Sequence, residues 1–482
     1  MDFSTASNSA IVSKFENLST QAALMIITIN KQLRLDQVPE ALAHELTRQL
    51  QFVNPKWLEN ERMRRWNRGT PKILKFIRKT HNGTLYLPRG FMGRLVLLCR
   101  RHGHTFTIED KRRSLSEIDL IFRGRLKPFQ LQAVEAMLKK DFGTLSAPTG
   151  SGKTVMALAM AARRRQPTLI VVHTKELAAQ WMARIATFLD VDQEQIGFIG
   201  GGKKNVGRKI TVAMVQSLYK CAGEIAAGTG HLVVDECHRA PSRTFTEAVK
   251  AFDARYMLGL SATPWRRDRL SKLIYWYLGD VHHEVQRAGL VAQGDILGLE
   301  VIQRPTDFTP YYDPVNEYSR MLSELCNNDQ RNRLIAADIA REIDRTGNGA
   351  GEAFLVLSDR RQHCLVLHAL LKHLYRIPAA VLTGDLSMEQ RRGVIQDLEQ
   401  GRVKVLIATG QLIGEGFDCP HLSVLFLTTP VRFSGRVLQY LGRVLRPVEG
   451  IERARVYDYV DERVPSLAAA ARARLRVYEQ GH

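Results

Sequence analysis

Eight consecutive residues, Ala147-Pro148-Thr149-Gly150-Ser151-Gly152-Lys153-Thr154, limit what this chain can fold into more than any other stretch of it. They follow a short apolar run over 142–147 and open an amphipathic segment, Thr154–Arg164. A strand therefore runs into a turn of small residues and out into a helix, which is the context a phosphate-binding loop requires. Small side chains let the backbone N–H groups of the turn point inward around phosphate oxygens. Lys153 then brings a cation to the β- and γ-phosphates of ATP, and Thr154 a hydroxyl to the Mg²⁺ that accompanies them. Ala147 stands where the general pattern has its first glycine.

The order strand then helix recurs. Strands are predicted at 142–147, 168–173, 209–215, 231–235 and 256–261, with amphipathic helices such as Glu176–Leu189 between them. Alternation of this kind builds a parallel sheet with helices on both faces. It lapses over roughly 286–330, rich in Gly, Pro and Tyr, and resumes at 353–357, 379–383, 403–408, 423–428 and 454–460. At 482 residues the chain is too long for one compact domain. The expected fold class is α/β, with two doubly wound parallel-sheet domains in tandem over 120–285 and 331–482 and a linker at 286–330. Ahead of them, residues 1–50 read as helix from the apolar spacing in Ala22–Ile27 and Val38–Leu42. Residues 51–119 read as a small α/β module with strand-like runs at Thr84–Leu87, Arg94–Leu98 and Thr105–Ile108, set between Gly and Pro interruptions. Pattern alone does not give its fold.

About eighty residues beyond the phosphate loop, the apolar run His231–Val234 ends in Asp235-Glu236-Cys237-His238. A strand end in a doubly wound sheet presents its residues at the carboxyl edge, where the phosphate loop also lies. Asp235 is expected to hold Mg²⁺, usually through water, and Glu236 to orient and deprotonate the attacking water. Alone, an Asp-Glu pair after an apolar run means little. Downstream of a phosphate loop it points to nucleotide hydrolysis. His238 is either a satisfied core histidine or a link from the nucleotide site to the next segment.

Lys and Arg together number 69 against 49 Asp and Glu, a net charge of +20. Such a balance suits a polyanionic partner. Between Lys56 and Lys127 stand 19 basic and 6 acidic side chains, so most of the excess sits in one segment and reads as a phosphate-binding face. The six cysteines lie far apart with no C-x-x-C pair, which argues against a disulfide framework or a zinc or iron–sulfur site. No apolar run approaches the roughly 18–20 residues that span a bilayer, and the first residues lack the pattern of a secretory signal. A cytoplasmic location is expected.

On these residues the chain resembles the superfamily 2 helicases over about 120–475, and within them the XPB-like branch that includes phage UvsW-type proteins. The segment 235–238 is similar to the family's DExH box. Leu126–Gln130 resembles its adenine-reading segment, which implies Gln130 on the base with Lys127 or Phe129 in support. Ser261-Ala262-Thr263 resembles the motif that, with His238, couples the nucleotide site to the track. Thr174 with its following helix, and Thr211–Leu218 with Gln216, resemble motifs that line the nucleic acid through hydroxyls and backbone N–H groups on phosphates.

In the second half Phe354–Ser358, Thr383-Gly384, Ala408–Asp418 and Gln439–Arg446 resemble the motifs of the family's C-terminal domain. The resemblance implies Thr383 and Thr409 on the nucleic acid, Gly416 and Asp418 at the nucleotide, and Gln439, Arg443 and Arg446 reaching in from the second domain. An arginine arriving there offsets the charge that gathers on the γ-phosphate in the transition state. Arg443 and Arg446, three residues apart, share one helix face. Arg266-Arg267-Asp268 aligns with the Arg-Glu-Asp of the XPB-like branch but has a base in place of the central acid, and Arg266 and Arg267 are candidate DNA contacts. The implied fold is a pair of RecA-like domains. Residues 51–119 stand in the place of a small DNA-recognition domain, a short thumb-like insertion is expected near 305–330, and a closing helix over 464–478.

The expectation is an ATP-hydrolysing DNA helicase or double-stranded DNA translocase acting on duplex, forked or single-stranded DNA, in repair, recombination or a mobile-element or defence system. Its 3′-to-5′ polarity comes from the resemblance only. Three alternatives remain open: an RNA helicase of the same superfamily, an ATP-binding clamp that kept the fold, and the motor subunit of a larger nucleoprotein complex.

Overall fold

The structure of the protein, a computed structural model, describes residues 24–239, 243–262, 270–346, 352–414, 422–431, 437, 440–442 and 451–479. Its first element is a strand. β1 (Met25–Ile29) alternates buried and half-buried side chains, and its β-branched Ile26, Ile27, Thr28 and Ile29 favour extended backbone. β1 pairs antiparallel with β2 (Gln32–Asp36). The apolar spacing of Val38–Leu42 does mark a helix, α1 (Glu40–Gln49). Next comes a side arm in which β3 (Gln51–Val53) pairs with β4 (Ile73–Lys75), with α2 (Pro55–Arg62) between them.

The chain then returns through β5 (Arg78–Lys79), β6 (Leu85–Pro88), α3 (Met92–Arg101) and β7 (Phe106–Asp110) to complete a five-stranded sheet of order β5-β6-β2-β1-β7. The expected helical segment 1–50 is thus corrected over its described part. β1 and β2 form the middle of the module's own sheet, and the boundary at residue 50 cuts through one core, where Ile27, Leu33 and Leu46 pack with Leu87, Leu95 and Leu98. Arg94–Leu98, read as a strand, is helical. Met92, Leu95, Leu98 and Cys99 are its buried side chains, a spacing of three to four.

The first large domain contains α4 (Pro128–Leu138), β8 (Phe142–Ser146), α5 (Lys153–Arg164), β9 (Thr168–Val172), α6 (Lys175–Phe188), β10 (Gly197–Gly200), β11 (Lys203–Asn205), β12 (Ile210–Met214), β13 (His231–Val234), β14 (Tyr256–Ser261), α7 (Ser271–Leu278) and β15 (Val281–Glu284). Strand order is β11-β10-β12-β9-β13-β14-β8-β15, parallel except for β11. Every residue of β9 is buried, as expected for a strand covered on both faces.

The N-terminal module is fused to this domain. Phe52, Phe76 and Phe91 surround Trp276 of α7, with ring centroids 5.9, 5.3 and 6.4 Å from it. Gly90 lies so close to α7 that a Cβ there would sit 2.3 Å from the Tyr275 carbonyl oxygen. The buried Arg89 guanidinium donates to the carbonyls of Asn30 and Ala254. The connecting residues are also stapled down, Arg112 to Asp110 and Asp141, and Arg113 to Asp253. The expected boundary at 119/120 is therefore a seam within one packed body.

The second domain is a six-stranded, all-parallel sheet of β16 (Gly298–Pro305), β17 (Ala353–Ser358), β18 (Ala379–Leu382), β19 (Val405–Thr409), β20 (Leu422–Leu427) and β21 (Arg453–Val460), in the order β16-β21-β20-β17-β19-β18. Helices α8 (Asp329–Thr346) and α9 (Pro465–Glu479) belong to it, the latter matching the expected closing helix. The expected linker and thumb-like insertion at 286–330 is corrected. β16 pairs in register with β21 over eight residues, and Met321, Leu322 and Leu325 pack with Phe308, Val464 and Leu467 in a small core of the same domain. β16 sits at a sheet edge, so its pattern is only half apolar.

Candidate nucleotide site and nucleic-acid track

The nucleotide site is assembled where β13, β14 and β8 end side by side. β8 leads through Ala147–Gly152 into α5, and Gly150 and Gly152 hold φ of +89° and +84°. These are left-handed values that a side chain would strain. A Cβ on Gly152 would also meet Gln130 Nε2 at 2.4 Å. That amide holds the loop from outside: Nε2 donates to the Ser151 carbonyl at 2.9 Å, while Oε1 accepts from the Lys127 N–H at 3.0 Å. Gln130 is thus a brace for the loop, with one N–H and one oxygen lone pair left over for a base. Lys127 meets Asp295 at 2.5 Å, and Phe129 packs into the domain core.

Lys153 Nζ donates to the carbonyls of Ala147 and Pro148 at 3.0 and 3.2 Å. Its ammonium is folded over the loop it belongs to, where phosphate oxygens would replace those carbonyls. Ser151 Oγ donates to the Pro148 carbonyl. Thr149 Oγ1 is buried without a hydrogen-bond partner among the described residues, and an orphaned hydroxyl of this kind is costly unless a ligand or another group meets it. Thr154 lies in the first turn of α5, half-buried, where an Mg²⁺ ligand is expected. The donor set fits an anionic nucleotide with a divalent cation: backbone N–H groups, one ammonium and hydroxyls on one side, and carboxylates on the other.

Those carboxylates follow β13. Asp235 is buried, its Oδ2 accepting from Trp181 Nε1 at 2.8 Å and its Oδ1 from the Glu236 N–H at 2.8 Å. Burial, then the neighbouring charge of Glu236, hold the Asp235 carboxyl above the usual range, opposed by the Trp181 hydrogen bond and the Lys153 charge. A cation placed there would stabilise its ionised form. Glu236 adopts φ +47°, the left-handed region that a non-glycine residue occupies only when its surroundings impose it. That turn brings its Oε2 to 3.1 Å from His238 Nδ1. His238 Nδ1 also lies 3.1 Å from Ser261 Oγ, at the end of β14. His238 thus stands between Glu236 and Ser261, the groups that the expected link would join.

On the same edge of the sheet, Thr174 caps α6. Its Oγ1 accepts from the Leu177 N–H at 3.2 Å, which leaves the hydroxyl hydrogen to donate elsewhere. Gln216 follows the adjacent strand β12, exposed, with Nε2 3.5 Å from the His173 carbonyl. In the second domain Thr409 ends β19, and Thr383 directly follows its neighbour β18. The four residues thus fall into two pairs, each at the carboxyl ends of adjacent strands. Thr263, Arg266, Arg267, Gly416, Asp418, Gln439, Arg443 and Arg446 lie outside the described residues. Their neighbour Gly442 is described. It lies against the phosphate loop, where a Cβ would sit 2.1 Å from Thr149 Cβ.

Nothing in the amino-acid pattern singles out Trp181. One indole among the apolar residues of an amphipathic helix looks like core, and most of it is. Only its N–H reaches the site. The Lys56–Lys127 basic run is also less uniform than the composition suggests. Arg94, Arg113, Arg123 and Lys127 are each paired with a carboxylate.

Among the described residues no helix is long and apolar enough to cross a membrane. Two family models match the chain: "Type III restriction enzyme, res subunit" over residues 123–266, and "Helicase conserved C-terminal domain" over 335–448. Among curated proteins the chain is similar to "DNA 3'-5' translocase XPB2" of Sulfurisphaera tokodaii, 28% identical across 67% of this chain and 78% of that one. It is similar to "Putative ATP-dependent RNA helicase L396" of Acanthamoeba polyphaga mimivirus, 28% identical across 71% and 65%. It also resembles "DNA 3'-5' helicase XPB" of Kineococcus radiotolerans, 26% identical across 76% and 65%. The chain thus spans just under two thirds of the last two. The solved structure of T4 UvsW aligns with 95% of this chain and 97% of its own at 19% identity and a TM-score of 0.43, too loose a likeness to add to the assignment.

Proposed function

The chain belongs to the superfamily 2 helicases, of the XPB-like kind, and from that premise we propose that it hydrolyses ATP to move along, or unwind, DNA. The observation that carries the reading is the meeting of both domains at one loop. Lys153, Asp235 and Glu236 stand on the first domain, and Gly442 of the second lies against Thr149 between them. Hydrolysis then depends on how the domains sit, which is what a motor needs if nucleic acid binding across both is to control turnover.

In this reading Lys153 and the loop N–H groups hold the phosphates, and Thr154 and Asp235 hold Mg²⁺. That ion would supply positive charge to offset the charge of the phosphates. Glu236 orients the attacking water and takes its proton. His238 and Ser261 carry a change at that carboxylate to the end of β14. Arg443 and Arg446 complete the site from the second domain. Thr174, Gln216, Thr383 and Thr409 donate to phosphates along the strand ends, and Arg266 and Arg267 are further candidate DNA contacts. Relatives of this chain named for DNA translocation and unwinding in the 3′-to-5′ direction support DNA as the track and that direction of travel.

An RNA track is the second reading, favoured by the mimivirus relative. Steady-state ATP hydrolysis with duplex DNA, forked DNA, single-stranded DNA and duplex RNA separates the two. Stimulation by DNA well above that by RNA is expected. Stimulation by RNA alone would replace the DNA reading.

A further inference from the structure

The side arm between β3 and β4 holds a large ring in water on a folded turn. Trp66 is 84% exposed. The turn that carries it is pinned throughout. The N–H groups of Arg64 and Arg65 donate to the carbonyls of Glu61 and Asn60, and Thr70 N–H to that of Asn67. Asn60 Nδ2 donates to Asn67 Oδ1, and Asn67 Nδ2 to the Trp57 carbonyl. A loose turn would let an indole fold back onto apolar surface, since burying an aromatic ring removes roughly 150–250 Å² from water. Nine residues earlier Trp57 is half-buried, with the Lys72 ammonium 4.8 Å from its ring centroid. Trp66 is held out.

Charge surrounds it. Lys56–Lys79 contains nine basic and two acidic residues. Among the described residues none of the nine meets a carboxylate, in contrast to the paired arginines further along the same basic run. Arg62, Arg64, Arg65 and Arg68, all exposed, flank the ring in sequence. The root of the arm is rigid: Phe52 on β3 stacks on Phe76, just past β4, at 5.7 Å, and both pack on Trp276 of the first helicase domain.

We propose that this arm is a base-stacking site for single-stranded DNA, with Trp66 lying on the face of an unpaired base and the flanking arginines on the adjoining phosphates. A purely phosphate-binding surface has no use for an exposed indole. Aromatic rings set among cations are how sequence-tolerant single-strand sites hold their ligand. The occupant is an unpaired base because duplex stacking hides every base face except at ends and junctions. The inference rests on the reading of the chain as a DNA motor and adds where the separated strand is held.

The test uses the full chain and labelled DNA: a single-stranded oligonucleotide, a fork, a blunt duplex, and an oligonucleotide of abasic sugars. Trp66 is exposed, so Trp66→Ala leaves the fold intact. It should weaken binding to the oligonucleotide and the fork by about tenfold or more, leave the duplex and the salt dependence unchanged, and keep basal ATP hydrolysis. Trp66→Phe should recover most of the loss. Wild type should bind abasic DNA as weakly as the alanine variant does. Trp66→Ala binding the oligonucleotide as tightly as wild type would overturn the proposal and leave the arm as a protein-docking or solvated surface. An equal loss on blunt duplex would overturn it in favour of a duplex anchor. Either result, with DNA-stimulated hydrolysis intact, spares the motor reading. That reading fails only if no nucleic acid stimulates hydrolysis.

Discussion

Gly442 of the second domain packs directly on Thr149 of the phosphate loop, leaving no room for even one added carbon: a Cβ at 442 would lie 2.1 Å from Thr149 Cβ and 2.9 Å from its Oγ1. Gly442 immediately precedes Arg443 in sequence, one of the two arginines proposed to complete the site from the second domain. Gly442→Ala must push the domains apart by part of an ångström or more. A displacement of that size at a reacting centre costs on the order of 10²-fold in rate. Turnover should fall by about that factor with ATP affinity nearly unchanged, measured by separate binding and hydrolysis assays. Arg443→Ala should lower turnover further, by roughly 10³-fold, as arginine fingers do.

Lys153→Ala should abolish hydrolysis, because the loop loses its one lysine. Glu236→Gln should keep ATP binding and stop turnover, since the amide fits the same turn but accepts no proton. Single-turnover kinetics checks this. Hydrolysis by Glu236→Gln within about tenfold of wild type would remove Glu236 from the role of base.

Trp181→Phe tests the indole on Asp235. An aromatic ring is kept, though smaller, and the hydrogen bond to a buried carboxylate, worth about 1.5–3 kcal/mol, is lost. The Asp235 carboxyl should then bind a proton more readily, because that hydrogen bond is one of the interactions holding its affinity for protons down. The expected outcome is a higher Mg²⁺ requirement for hydrolysis, most marked toward acid pH, with the fold retained. An unchanged Mg²⁺ titration would leave Trp181 as a packing residue only.

Much of this was legible beforehand, for physical reasons that also explain what was not. Ten of the fourteen strands of the two large sheets stood out because buried parallel strands are continuous apolar runs and the turns after them are small or polar. The phosphate loop and Asp235–His238 stood out because their chemistry needs particular residues at particular spacing. The stretch Ala22–Ile27 misled because a short apolar run fits a helix and a buried strand equally well until its partners are known. Arg94–Leu98 misled for the same reason in reverse. β16 lay hidden at a sheet edge, where Leu299 is its one fully buried side chain. Trp181 and Gly442 act through one N–H and through one missing carbon, and neither leaves a pattern in sequence.

Trp276→Ala should destabilise the N-terminal module and the first domain together. Removing a buried tryptophan costs about 3–5 kcal/mol, and this one is shared between the two. Chemical denaturation should show one transition for both, shifted to lower denaturant. For the same reason, deleting everything before Phe122 should give an insoluble protein, because Trp276 and Leu278 would be uncovered. A soluble truncated motor with normal ATP hydrolysis would show the module to be an independent domain.

The central claim is that hydrolysis at this site drives movement on DNA, and strand displacement tests it most directly. A forked DNA with one labelled strand is mixed with wild type or Glu236→Gln, with ATP and Mg²⁺. A parallel reaction carries a triplex-forming oligonucleotide on blunt duplex, which a translocase strips without unwinding. Wild type should release the labelled strand or the third strand in an ATP-dependent way, and Glu236→Gln should release neither while still binding the DNA. Vigorous DNA-stimulated hydrolysis with no displacement of either kind, or equal displacement by both proteins, would contradict the account.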